Sequence, residues 1–206
     1  MIKCNDKIGK QARRSNLNVL FDSQIAILED RGIPKQIIMA LQGWKDFVLE
    51  KTSKIAIGKG SIPFLPVITP IYLGYYGLMS KVQNGFGIGY SSIKPDAIID
   101  GFGTSSDLYY IYDVEVGKAT IGKSPEESRK IFKKQSRHPM TAVEIINLCI
   151  ITKVLWRRSV WATGSRYAIN EQTPIVFLDD LSNPVLGCFY DINWNDNWGS
   201  PSCGSR

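Results

Sequence analysis

The chain has 206 residues, 44% of them apolar, with a formal charge of +6 and a single histidine. That length and apolar share suit one globular domain or two small ones, and exclude a disordered or fibrous chain. No apolar run reaches the roughly 20 residues of a membrane span, and the start lacks the apolar stretch of a secretion signal.

These features together predict a cytoplasmic protein with no membrane partner. The basic balance suits an anionic ligand or, less directly, a nucleic acid. A solvated surface with a slight Lys excess is the plainer reading. Cys4, Cys149, Cys188 and Cys203 form no C-x-x-C pair, and His138 adds one ligand at most. Zinc sites need four close ligands, usually in paired spacing, so no metal is expected. Cys188 and Cys203 could bridge if the closing stretch folds back; free thiols are the default.

Residues 1–15 are polar and basic and read as a loose segment preceding a single α+β domain over 16–206. Leu17, Leu20, Phe21, Ile25 and Leu28 recur at helical spacing, and Gly32-Ile33-Pro34 stops that helix. Ile37, Ile38, Leu41, Trp44, Val48 and Leu49 predict a second helix, completing an N-terminal helical pair. Residues 62–68 read as a strand whose prolines confine it to an edge. Pro70 can open a short helix through Tyr75, Tyr76 and Met79. Residues 85–90 read as a loop, and 97–100 and 108–116 as strands. In the stronger strand, Tyr110, Tyr112, Val114 and Val116 take one face, and Tyr109, Ile111, Asp113 and Glu115 the other.

Ser124-Pro125-Glu126-Glu127 spells a capping box opening a helix to about residue 135. Thr141 with Glu144 spells another, opening a helix over 142–156. The Arg157-Arg158 pair then falls at a helix end, where the dipole explains it. Residues 174–178 and 185–190 read as strands joined by the turn Asp179-Asp180-Leu181-Ser182-Asn183-Pro184. The pattern predicts an α+β fold with a mainly antiparallel sheet, an N-terminal helical pair and central helices.

Three constellations carry chemistry. Gly117-Lys118-Ala119-Thr120-Ile121-Gly122-Lys123-Ser124 matches the phosphate loop G-x-x-x-x-G-K-[ST]. Gly117, Gly122, Lys123 and Ser124 would then hold a nucleotide and Mg²⁺, as in a P-loop NTPase, with Asp179 as a second acid. Against this, Ser124 is claimed by its capping box, which leaves Lys123 outside the helix. Asp179 also ends a strand that turns straight back, unlike the parallel strands of such folds. The second constellation is Asp113 and Glu115 on one strand face, which could hold Mg²⁺ in a nuclease. The usual lysine is missing, since Glu115 stands in its place. The third is the closing stretch. Trp194 and Trp198 could stack on a ring or sugar, or anchor a loop to the core. Asp191-x-Asn193-x-Asn195 starts like a calcium loop but lacks its glycine and its bidentate Glu. Arg166, after Gly164-Ser165, could hold Asp113, Glu115 or a ligand anion.

Several stretches resemble a family of uncharacterised bacterial proteins known as a domain of unknown function. They are Phe21-Asp22-x-Gln24, Ile62-Pro63-Phe64 with Val67-Ile68, Asp113-Val114-x-x-Gly117, Leu155 and Gly164-Ser165-Arg166. The most specific is Pro184-x-Leu186-Gly187-Cys188 followed by Trp198-Gly199-Ser200-x-Ser202-Cys203-Gly204-x-Arg206. The resemblance runs from about residue 20 onward. The family pattern carries an aromatic, His-bearing stretch before its last Trp, where this chain has Asn195-Asp196-Asn197. The resemblance implies a fold and no reaction. The expected function is a binding or structural module for a small or anionic ligand. The P-loop NTPase and the Mg²⁺ nuclease are the alternatives. If Asp113, Glu115, Arg166, Trp194 and Trp198 serve one site, the fold must bring them together.

Overall fold

The structure, a computed structural model, describes residues 2–85, 87–101, 107–169 and 171–206, with side chains described from Asn16 on. Cys4 and the expected looseness of residues 1–15 fall outside the described side chains. Contacts divide the chain into two compact units, Met1–Ala56 and Ile57–Arg206.

The first unit is helical. Helix α1 (Ile2–Asp30) buries Leu17, Phe21, Ile25 and Leu28, as their spacing predicts. The single helix expected after Pro34 is instead two, α2 (Lys35–Gly43) and α3 (Lys45–Lys54). The first helix ends at Gly43, and the second restarts after Trp44 with Asp46 in its first turn, where a carboxylate suits the dipole. Trp44 lies at the junction and is 45% exposed, so it leaves the apolar stripe that the periodicity placed it in.

The second unit is α+β. Strand β1 (Ile62–Val67) is followed by α4 (Pro70–Met79), which breaks at Gly74 where φ is +62°. Where 85–90 is expected to be loop, β3 (Gly87–Ile88) pairs with β2 (Gln83–Asn84), and β4 (Tyr90–Ser91) follows. Next come β5 (Ile98–Asp100), β6 (Tyr109–Val114) and α5 (Pro125–Lys134). Then follow β7 (His138–Pro139), α6 (Ala142–Ile151), β8 (Ser159–Trp161) and β9 (Ser165–Tyr167). The last elements are β10 (Thr173–Leu178), β11 (Pro184–Phe189), β12 (Trp198–Gly199) and β13 (Ser202–Cys203).

The largest sheet has the order β12-β8-β10-β11-β4. Its centre is the expected hairpin, with Ile175 opposite Gly187 and Val176 opposite Leu186. Antiparallel pairs dominate the molecule; β4 and β12 join their neighbours in parallel. Strand β1 pairs with β6 alone among the named strands, the edge position that its prolines require.

Helix α6 is buried along its whole length, polar residues included. Asn147 satisfies the backbone of Ile68 in both directions, accepting from its N–H and donating to its C=O at 3.0 Å each. Both capping boxes form, at Ser124 and at Thr141. The helix stops at Ile151, short of the expected end, because Thr152 turns to extended backbone. A 3₁₀ turn, Val154–Trp156, follows.

The closing stretch is a structural layer. Strand β13 pairs with β7, and isolated bridges tie Ser202 to Glu115 and Ser205 to Tyr112. Arg206 donates from Nε and Nη2 to the two carboxylate oxygens of Glu144, at 2.7 and 2.9 Å. Cys149, Cys188 and Cys203 are free thiols. No helix among the described residues is long and apolar enough to cross a membrane.

Candidate functional site

Strand β6 does not keep a polar face toward water. Every residue from Tyr110 to Val114 is buried, Asp113 included at 8% exposure. Asp113 also takes φ +52°, a conformation that breaks the simple alternation of the strand. Its carboxylate accepts from the Gly58 N–H at 2.8 Å and from Arg137 Nη1 at 2.5 Å. Arg137 continues to the closing stretch, donating to Ser202 Oγ at 2.8 Å. Burial pushes the Asp113 carboxyl up, but the Gly58 amide and Arg137 outweigh it and hold the group below the ordinary carboxylate range. Arg137, not Arg166, is therefore the cation that Asp113 meets.

Glu115 turns the other way, into the loop that follows it. Its oxygens accept from the N–H groups of Gly117, Lys118 and Ala119, at 2.9, 2.7 and 3.1 Å. Gly117, at φ +82°, supplies the left-handed step that lets successive amides converge. The sequence thus does build an anion nest, and its own carboxylate fills it. Three further amides of the phosphate-loop spelling are also engaged. Gly122 N–H reaches the Trp198 carbonyl at 3.0 Å, Lys123 N–H the Thr120 carbonyl at 3.1 Å, and Ser124 N–H the Glu127 carboxylate at 3.0 Å. Lys123 precedes the helix, since Ser124 is its N-cap. Asp179 accepts from the Leu181 and Asn183 amides and shapes the hairpin turn.

This geometry argues against both enzymatic alternatives. The 117–119 amides are occupied by Glu115, and Asp113 and Glu115 point to separate protein donors instead of one cation. Among the described residues no three His, Cys, Asp or Glu side chains gather as metal ligands.

The closing aromatics separate. Trp198 stacks on Phe189, with centroids 5.3 Å apart, and meets Trp161 edge-on at 5.2 Å. Trp194 is 61% exposed. Asp191, first residue of the calcium-like spelling, is held by Arg129 and Thr173.

Arg166 stands elsewhere, on β9 opposite Ile99 of β5. The two residues before it have structural work. A Cβ at Gly164 would lie 2.6 Å from the Pro139 carbonyl oxygen, so glycine is required there. Ser165 Oγ accepts the Ala142 N–H at 2.7 Å and donates to Asp100. Burial, chiefly, raises the Asp100 carboxyl, and the Ser165 hydroxyl opposes it. Arg166 is exposed, and its side chain has no hydrogen bond or ion pair among the described residues.

It lines a cleft of about 440 Å³ with Ile99, Arg129, Thr163, Tyr167 and Glu171. Arg129 is paired with Asp191 and donates to the Thr163 carbonyl at 3.3 Å. Burial lowers the Arg129 guanidinium, Asp191 raises it, and the charge of Arg166 lowers it further. The Thr163 hydroxyl is buried and lacks a partner among the described residues. The recess thus holds one guanidinium paired with Asp191 and a second, Arg166, without a partner among the described residues, beside the Glu171 carboxylate and partly apolar walls. The fold joins Asp113, Glu115, Gly117 and Ser202 in one structural corner and sets Arg166 and Trp194 outside it. Arg129 escaped the sequence reading because a lone Arg on a solvated helix carries no local mark.

No family model, curated protein or solved structure matches this chain.

Proposed function

We propose that the protein binds a small anionic molecule with an apolar body, held by Arg166. The observation that carries this reading is Arg166 itself: a guanidinium without a protein partner among the described residues, lining a cleft with a second guanidinium and a buried, unpaired hydroxyl. A carboxylate suits the planar fork of Arg, and the Ile99 and Tyr167 walls suit a hydrocarbon portion. We further propose membership of the uncharacterised bacterial family that the closing motif resembles. Its Gly, Ser and Arg residues here bear the packing at Gly117, Arg137 and Glu144. The free thiols support a reducing compartment such as the cytoplasm.

The test is a thermal-shift and calorimetric panel of aliphatic and aromatic monocarboxylates, each beside its uncharged amide. At least one carboxylate should stabilise the parent where its amide does not, and Arg166→Gln should abolish that difference. Equal responses from acids and amides, or an undiminished response in Arg166→Gln, would refute the assignment.

A further inference from the structure

The early end of α6 has a consequence for Arg157 and Arg158. They do not cap the helix: it closes at Ile151, and the Arg pair leaves the 3₁₀ turn Val154–Trp156. The dipole account of this pair therefore fails, and their charges need another explanation. Lys153, Arg157 and Arg158 line one cleft of about 320 Å³, beside Gly60 and Val116, and no carboxylate is among its described lining residues. Arg157 and Arg158 also border an adjoining cleft of about 440 Å³, lined further by Trp156, Asn195 and Trp198.

Arg158 is the informative member. Its Nε and Nη1 are shut from water and have no hydrogen-bond partner among the described residues. Such guanidinium nitrogens are ordinarily paired. Glu115 is the acid whose charge acts on Arg158, yet both Glu115 oxygens are taken by the loop amides. Neither Arg157 nor Lys153 finds a carboxylate among the described residues, although Lys153 lies over the Trp156 ring, 5.7 Å from its centroid. Three cations facing one recess repel one another. A carboxylate brings one negative charge; a phosphoryl group brings nearly two, with three acceptor oxygens for several donors.

We propose that Lys153, Arg157 and Arg158 hold the phosphoryl group of a small phosphomonoester. Its remaining part extends into the adjoining cleft beside Trp156, a residue 63% exposed. The site is independent of the Arg166 cleft: it lies on other elements and shares none of its lining residues.

The probes are inorganic phosphate, phenyl phosphate and a single-stranded oligonucleotide lacking terminal phosphates. The readout is the Nε–Hε resonances of the arginines in the parent protein, with chloride matched for ionic strength. Phosphate and phenyl phosphate should shift the Arg158 signal saturably, phenyl phosphate at lower concentration. Arg158→Gln should weaken phenyl phosphate by about tenfold to a hundredfold, the cost of a lost charged hydrogen bond. Lys134→Gln, which removes one charge from an exposed position on α5, should leave the affinity unchanged. If Arg158→Gln does not fold, Arg157→Gln and Lys153→Gln, both at exposed positions, should weaken binding in its stead. Shifts that chloride reproduces, parent affinity in Arg157→Gln and Lys153→Gln, or binding of the oligonucleotide in preference to phenyl phosphate would each overturn the proposal.

Discussion

Replacing Arg206 with Met isolates the strongest polar link between the closing stretch and the core. Glu144 is wholly buried, and Arg206 is 23% exposed. Arg206 makes two bonds to the carboxylate and one to the Pro139 carbonyl at 2.9 Å. After the substitution Glu144 keeps the Thr141 N–H at 2.8 Å and the Tyr109 hydroxyl at 3.3 Å, but no cation. Breaking a buried pair from one side costs about 3 to 5 kcal/mol, and the partial exposure of Arg206 argues for the lower end, about 3 kcal/mol. For a unit of this size, about 2 to 4 °C per kcal/mol gives a fall in Tm of about 6 to 12 °C. Glu144→Gln should cost less, about 1 to 2 kcal/mol, because Gln can still cap the helix and Arg206 can turn toward water. The double variant should recover part of the Arg206→Met loss. Urea unfolding followed by tryptophan fluorescence, with thermal melts in parallel, measures all three. Arg206→Met within about 0.5 kcal/mol of the parent, or less harmful than Glu144→Gln, would refute the reasoning.

Two further outcomes follow from the corner around Asp113. The folded-state pKa of this carboxyl lies below its unfolded value. Its contribution is therefore complete above about pH 4 and is lost as pH falls through the folded value. Asp113→Asn should flatten the fall in Tm below about pH 4; a curve parallel to the parent's would disprove this linkage. At Gly199 a Cβ would lie 2.1 Å from the Gly117 carbonyl oxygen, backbone that cannot yield cheaply. Gly199→Ala should destabilise by more than about 2 kcal/mol in urea unfolding, and a neutral result would mean that the two backbones are not in contact.

Local chemistry was legible and long-range pairing was not. The capping boxes at Ser124 and Thr141, the hairpin through Asp179 and the edge strand at 62–67 are written within a few residues of where they act. The α+β class follows from them. Element ends were less legible. Trp44 continues an apolar period that the backbone abandons, and the run after Ile151 stays apolar while the chain leaves the helix. Arg137 could not be matched to Asp113 because their bond depends on where the closing stretch lies, and Arg137 donates to Ser202 as well. Arg166 was visible because two small residues that the packing demands stand immediately before it.

Two motif readings, taken separately, each suggested a reaction; together they account for each other. The phosphate-loop spelling encodes a backbone that points amides at one place, and Gly117 delivers that. The D-x-E spelling on β6 puts a carboxylate two residues before the same amides. A tethered anion has a high effective concentration at its own nest, so a free phosphate would have to displace Glu115 and leave it unpaired. The second candidate site therefore occupies the first. Glu115, so committed, acts on Arg158 through its charge and makes no hydrogen bond to it. The same bonds that fill the 117–119 nest leave Nε and Nη1 of Arg158 without a hydrogen-bond partner among the described residues, at the clefts proposed for a phosphoryl group.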